Sequence, residues 1–255
     1  PFRLAWNPES YNVYRNAKGI LKAILAGVVG VLKRIDRSSA NNIDYFVAMT
    51  EETKLRLIKA YRPQSDIPIV NPAVELGNYS ISENIGDYYL IVSRFEPYKM
   101  VDLAIEAFNT NGKLLVIVGK GSQEESLKNL ANKNITFRQN VSNQELAELY
   151  SNCKAFVFPQ HEDYGLTPIE ANAAGRPVIA YNKGGVLDTM ISYQKCKEEA
   201  TAYFFESQDV NSLNNAIDEF EKLNFVPEIA RLNAERFSEK RFKKELNTFI
   251  EEILE

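Results

Sequence analysis

The densest chemistry in this chain lies in ten residues, His161-Glu162-Asp163-Tyr164-Gly165-Leu166-Thr167-Pro168-Ile169-Glu170. Two carboxylates, Glu162 and Asp163, and a glycine stand just before what reads as a helix start. Thr167 has the side chain of an N-cap, Pro168 suits the first helical position, and Glu170 stands where a capping-box glutamate would. Helix initiation accounts for those three residues. It does not call for the two acids or the glycine. Free amides and the positive end of the dipole at a helix start meet anions or hydroxyls. A second group, Ser93-Arg94-Phe95-Glu96-Pro97-Tyr98-Lys99, carries two cations five residues apart. Arg engages a diphosphate as a fork and Lys as a point charge, and both sit where they could meet one. Taken alone, a pair of loop cations is also an ordinary surface feature.

These groups need a frame that brings their loops together. From Asp87 to about Phe205, short apolar runs alternate with helical patterns: Tyr89–Val92, Leu114–Val118, Ile135–Phe137, Ala155–Phe158, Val178–Ala180 and Tyr203–Phe205. Several runs are continuous rather than alternating, as in strands covered on both faces. Helical spacing lies between them at Leu103–Phe108 and Glu145–Tyr150. The pattern predicts an α/β fold with a doubly wound, parallel, Rossmann-like sheet, whose ligands lie beyond the carboxyl ends of the strands. Arg94 and Lys99 follow the first strand, and the block from His161 follows the fourth. Gly119-Lys120-Gly121-Ser122 follows the second strand, where glycines let backbone approach a ligand, although an ordinary βα turn reads the same way. Before this region, Ile20, Leu21, Ile24, Leu25, Val28, Val29, Leu32 and Ile35 repeat with helical spacing. Tyr45-Phe46-Val47-Ala48 then reads as a short strand, a helix follows through Leu55, Leu57 and Ile58, and Pro63, Pro68 and Pro72 read as a linker. After it, Asn211 to Glu255 is polar and helical and ends in an amphipathic stretch from Phe242 through Leu246, Phe249, Ile250 and Ile253.

Glu162 and Glu170 are spaced E-x7-E, and the block continues through Gly175-Arg176-Pro177-Val178-Ile179-Ala180. The whole resembles glycosyltransferase family 4, retaining enzymes of GT-B fold, in its mannosyltransferase-like branch. That resemblance implies that Glu162 contacts hydroxyls of a donor hexose. It implies that the Gly165 and Leu166 amides, with Thr167, approach the sugar, and that Glu170 holds the ribose hydroxyls. Arg94 and Lys99 would neutralise the leaving diphosphate, and Gly119 and Gly121 would lie against the nucleotide. The loop Arg138-Gln139-Asn140-Val141-Ser142 resembles the base-recognition turn, with Val141 at the base edge. Departures from the family pattern are Tyr164 for Phe, Met100 for the Gly after Lys99, Asn140 for Gly, and Leu187-Asp188 for Pro-Glu after Gly184-Gly185. The resemblance implies no cofactor, and no D-x-D pair suggests a metal, since Arg and Lys take that role. The donor would be GDP-mannose or another NDP-sugar, and His161 flanks the sugar site rather than acting as a base.

The resemblance divides the chain into residues 1–75, the tail of an amino-terminal acceptor-side domain plus linker, 84–238, the nucleotide-sugar-binding domain, and 239–255, a crossover helix. The bulk of the acceptor-side domain is expected ahead of Pro1 or on a second polypeptide, so the isolated chain would be incomplete for turnover. A glycan or lipid-linked acceptor would complete the reaction. Alternatives are the donor-binding subunit of a split transferase and a non-catalytic sugar-nucleotide sensor.

Composition narrows the classes further. A net charge of −4 excludes a global basic field for nucleic acid. Cys153 and Cys196, far apart, read as reduced thiols, and one histidine leaves little material for zinc. The apolar run from Ala23 to Leu32 is half of the roughly 20 residues a membrane span needs. Six cations lie between Arg15 and Arg37 against one acid, Asp36. Such a helix can lie on an anionic membrane, but the favoured reading is a domain helix with a solvated basic face. The expectation is a cytoplasmic protein with peripheral contact to the inner membrane face open to it.

Overall fold

A computed structural model describes residues 2–254 and divides the chain into two units, Pro1–Val70 and Asn71–Glu255. The first is helical: α1 (Arg3–Trp6), α2 (Asn12–Asn16), α3 (Gly19–Ala40) and α4 (Glu51–Tyr61). The apolar periodicity from Ile20 to Ile35 becomes the 22-residue α3. α4 starts at a reciprocal capping box: the Thr50 hydroxyl accepts from the Thr53 amide, and the Thr53 hydroxyl accepts from the Thr50 amide.

The expected strand at Tyr45–Ala48 is not formed. Only Ala48 pairs, donating to Pro68 O and accepting from the Val70 amide, both at 2.9 Å. Pro68 has no amide with which to extend the ladder, so the pairing stops at one bridge.

The cations of α3 are largely engaged within this unit. Lys22 donates to the Tyr14 carbonyl at 2.9 Å and lies over the Tyr14 ring. Lys33 and Arg37 flank the Trp6 ring, and Arg37 also donates to the Ala60 carbonyl. Asp36 accepts from Trp6 Nε1 at 2.6 Å and Tyr61 Oη at 2.7 Å, bonds that outweigh burial and lower its pKa. Much of what reads as a basic face in sequence is therefore cation–π and hydrogen-bond packing. Among the described residues no helix is long and apolar enough to cross a membrane.

The second unit is built on one sheet. Its strands are β1 (Tyr88–Val92), β2 (Leu114–Val118), β3 (Ile135–Arg138), β4 (Phe156–Phe158), β5 (Val178–Tyr181) and β6 (Ala202–Phe205). All pair in parallel, in the order β3-β2-β1-β4-β5-β6. Between and after them run α5 (Val101–Asn111), α6 (Glu124–Leu130), α7 (Asn143–Asn152), α8 (Leu166–Ala173), α9 (Val186–Thr189), α10 (Val210–Phe220), α11 (Pro227–Glu235) and α12 (Glu239–Leu254).

The continuous apolar runs are explained by two cores, one on each face. Tyr89, Ile91, Leu115, Ile117, Val157 and Ile179 point into one, with Phe108 and Ile217 from the helices. Leu90, Phe156, Phe158, Val178 and Ala180 point into the other, with Tyr150, Ile169 and Phe237. Each residue thus alternates face while both faces stay dry. A buried Arg176 donates to the carbonyls of Ser151 and Ser82, tying the segment ahead of β1 to α7.

The strand order decides where a ligand can go. From β1 the chain winds outward to β3, then returns to β4 on the other side of β1. The crevice of a doubly wound sheet lies at that reversal, outside the carboxyl ends of the two diverging strands. Arg94–Lys99 leaves β1 and His161–Glu170 leaves β4. The two chemical segments, more than sixty residues apart, are neighbours because of this topology.

Candidate functional site at the β1–β4 switch point

The loop after β1 is held by the loop after β2. Phe95, fully buried, donates its amide to the Lys120 carbonyl and accepts from the Gln123 amide, each at 3.0 Å. The Glu96 carboxylate accepts from the Ser122 hydroxyl at 2.8 Å. Gly119 and Gly121 are small for this reason. A Cβ at Gly119 would lie 1.9 Å from the Ser93 carbonyl oxygen, and one at Gly121 would lie 2.6 Å from Phe95 backbone. The Gly119 amide is already donated to the Arg138 carbonyl. Both glycines shape the crevice by letting its two loops touch.

On this scaffold Tyr98 stands between the two cations. Arg94 Nη2 donates to Tyr98 Oη at 2.8 Å, and Lys99 Nζ lies 5.3 Å from the centre of its ring. Met100 then ends the loop at φ 53° and ψ 34°, a left-handed conformation, and α5 begins at the next residue. That backbone explains why the family pattern has glycine here; Met adopts it at a steric cost. Asn140, at φ 52°, occupies the other position where glycine is usual, and Asn tolerates this region better than most residues.

The loop after β4 is clipped to the loop after β5. Glu162 pairs with Gly184 in an isolated parallel bridge, and the Gly185 amide donates to the Glu162 carbonyl at 2.9 Å. A side chain at Gly184, where φ is 88°, would strike the Glu162 carbonyl and His161. The backbone of Glu162 is thereby fixed, and its side chain reaches across the crevice. Lys99 Nζ donates to Glu162 Oε1 at 2.5 Å, with side-chain exposures of 13% and 19%. The cation expected at a diphosphate and the carboxylate expected at a hexose thus meet in one half-buried pair. It is a direct link between the two segments.

The helix start differs from the expectation. α8 begins at Leu166, and its N-cap is Gly165 at φ 89°, with no side-chain cap. Thr167 is the second helical residue and no capping box with Glu170 forms. Glycine alone takes this turn readily, so the helix starts before Thr167 is reached. Pro168 is tolerated because first-turn amides have no intrahelical acceptor anyway. The first-turn amides of Leu166 and Thr167 are left for other partners. Leu166 is exposed, and Thr167 half-buried.

Glu170, no longer a cap, faces inward. Its Oε2 accepts from the Tyr150 hydroxyl at 2.7 Å. Burial raises its pKa, and its interactions with Tyr150 and Tyr79 only partly oppose that rise. The hydroxyl of Tyr164 donates to the Pro72 carbonyl at 2.6 Å, and its ring meets Phe237 edge-on. The change from the family's Phe therefore adds a tether to the segment following the first unit. Val141 packs its side chain against the second core while Ser142 caps α7 by accepting from the Glu145 amide. Sequence reasoning missed Tyr98, Tyr150 and the Glu96–Ser122 tether, because nothing in their spacing marks them. Tyr98 alone carried a signal, as an aromatic between two cations.

Fold and site together define a doubly wound, Rossmann-like domain with Lys99 and Glu162 meeting at its switch point. Residues 82–241 match the family model described as glycosyl transferases group 1, and the chain belongs to that family. It is 27% identical over 228 residues to an alpha-1,3/1,6-mannosyltransferase of Candida glabrata, covering 69% of this chain and 49% of that protein. It is 25% identical over 219 residues to a GDP-mannose-dependent alpha-(1-6)-phosphatidylinositol monomannoside mannosyltransferase of Mycobacterium tuberculosis, covering 74% and 55%. The chain spans about half the length of these curated relatives. In fold it is similar to a sucrose-phosphate synthase of Thermosynechococcus elongatus, at TM-score 0.72 and 18% identity over 97% of this chain and 65% of that one. A glycosyltransferase of Rickettsia africae is similar at TM-score 0.71 and 19% identity, covering 86% and 67%.

Proposed function

We propose that this chain is the donor-binding half of a retaining glycosyltransferase that moves a hexose, mannose from GDP-mannose, onto a glycan or lipid-linked acceptor. The observation that carries the reading is the meeting of Lys99 and Glu162 at the switch point. A nucleoside diphosphate lying across that crevice would take Lys99 and Arg94 at its phosphates. The charge that develops as the diphosphate departs is what these cations would stabilise, without a metal ion. Its sugar would take Glu162 through hydroxyl donors and approach the Gly165 and Leu166 amides, and its ribose would reach Glu170. Mannose is favoured by the mannosyltransferase relatives from Candida glabrata and Mycobacterium tuberculosis, and guanine by the GDP-mannose dependence of the latter. The acceptor pocket belongs to a partner domain or polypeptide, so the isolated chain binds donor but turns over little.

One calorimetric panel tests the reading: GDP, UDP, ADP, GDP-mannose and UDP-glucose against the parent chain and its Lys99→Ala variant. Lys99→Ala should weaken every diphosphate, since a hydrogen bond to a charged group is worth about 1.5–3 kcal/mol. Binding of all five ligands unchanged in the variant would remove the site assignment. Rapid transfer by the isolated chain would remove the claim that it is half an enzyme.

A further inference from the structure

The carboxylate of Glu170 is held in an unusual way. Its Oε2 accepts from the hydroxyl of Tyr150, at the end of α7, at 2.7 Å. That tyrosine is fully buried, and its ring is pinned on two sides. It meets Tyr79 edge-on with centroids 5.6 Å apart, and it lies tilted over Phe156 of β4 at 5.6 Å. A ring held this way cannot swing, so its hydroxyl is a fixed donor. Tyr79 interacts with the same carboxylate. Among the described residues no lysine or arginine is a partner of Glu170; burial and the two tyrosines account for its environment.

We propose that Tyr150, supported by Tyr79, is a positioning residue that aims Glu170 at the ribose diol of the bound nucleotide. The inference rests on the donor-site reading of Glu170 given above and adds the residues that make that contact work. A neutral phenol engages one lone pair of the carboxylate and leaves its charge and its remaining acceptor positions intact. A cationic partner would hold the group equally still but would neutralise it. Two vicinal hydroxyls need two acceptor positions in fixed places, and such placement depends on partners that lock the rotamer. The phenol also favours the ionised carboxylate, opposing the burial that favours the protonated form. Without it, Glu170 would take up its proton at a higher pH and accept the diol less well.

The test uses the whole chain and calorimetry with GDP and UDP beside their 2′-deoxy counterparts, for the parent, Tyr150→Phe, Tyr79→Phe and Glu170→Gln. Tyr150→Phe should lower the preference for ribose over deoxyribose by roughly tenfold, the worth of a hydrogen bond to a charged group. Binding of the deoxy ligands, which keep one of the two hydroxyls, should weaken much less. The pH at which ribonucleotide binding reaches its plateau should move upward, since the bond that lowers the carboxyl pKa is gone. Tyr79→Phe should act in the same direction and less. Equal weakening of ribo and deoxy ligands, with no shift of the plateau, would assign Tyr150 to packing alone and overturn the proposal. If Glu170→Gln abolishes the preference while Tyr150→Phe leaves it, the ribose reading stands and the positioning role falls. A preference unchanged in Glu170→Gln would remove both.

Discussion

The half-buried pair of Lys99 and Glu162 makes a prediction that neither residue makes alone. In the structure each is the other's partner, at 2.5 Å and mostly out of solvent. A diphosphate that takes Lys99 must break this pair and leave the Glu162 carboxylate facing phosphate. Glu162→Gln removes the competition while keeping the shape of the side chain. A hydrogen bond to a charged group is worth about 1.5–3 kcal/mol net, and each 1.4 kcal/mol is a factor of about ten in affinity. The free diphosphate should therefore bind Glu162→Gln about tenfold or more tightly than the parent. A sugar nucleotide gains the same release of Lys99 but loses the charged acceptor for its hexose hydroxyls. Its advantage over the bare diphosphate should shrink or reverse. Titration calorimetry of GDP and GDP-mannose into parent, Glu162→Gln, Lys99→Met and the double variant closes the cycle. In the Lys99→Met background Glu162→Gln should no longer tighten GDP. Should Glu162→Gln leave GDP binding unchanged or weaker when Lys99 is present, the pair is not what the ligand displaces.

Three further outcomes follow from single residues. Met100, at φ 53°, should give way to glycine with a gain in thermal stability and to valine with a loss. Relief of about 1–2 kcal/mol of left-handed strain exceeds the roughly 0.5–1 kcal/mol of added chain entropy, and melting temperatures ranked Gly above Met above Val check it. Tyr164→Phe restores the family's residue but strands the Pro72 carbonyl that its hydroxyl serves. It should cost about 1 kcal/mol, or about 2–4 °C in melting temperature, and an unchanged melting curve would contradict the tether. Glu170 has its pKa raised above 4.5 by burial, so the folded state holds that proton more tightly than the unfolded state. Stability falls as pH rises from about 4.5 through the folded pKa, and the full cost stays above it. Glu170→Gln should thus be stabilising at neutral pH, with the gain fading on acidification. A pH-independent difference in urea unfolding would refute that account.

The sequence by itself determined the second unit's architecture. Continuous runs such as Leu114–Val118, alternating with helical spacing, specify strands buried on both faces and hence a doubly wound parallel sheet, because only that arrangement hides both sides of such a run. It also marked Glu162, an acid that helix initiation does not call for, while Glu170, Arg94 and Lys99 stood out through the resemblance to the family's motifs rather than through their own spacing.

Tertiary structure decided how those residues are used. The return of the chain across β1 to β4 brings Lys99 onto Glu162, a contact between segments that no local spacing encodes. The start of α8 was set by the left-handed turn at Gly165 rather than by the better capping side chain of Thr167, because backbone freedom at one residue outranks a single side-chain hydrogen bond. Gly119 and Gly121 are required by a contact that spacing does not encode, the close approach of the Ser93–Phe95 loop. The strand expected at Tyr45–Ala48 had the residue types but found one bridge to pair with, and strand character is realised only where a neighbour supplies the ladder. Tyr150 lay unremarked in an amphipathic helix. Its partner Glu170 is twenty residues away, and only the packing of α7 against α8 makes the two one unit.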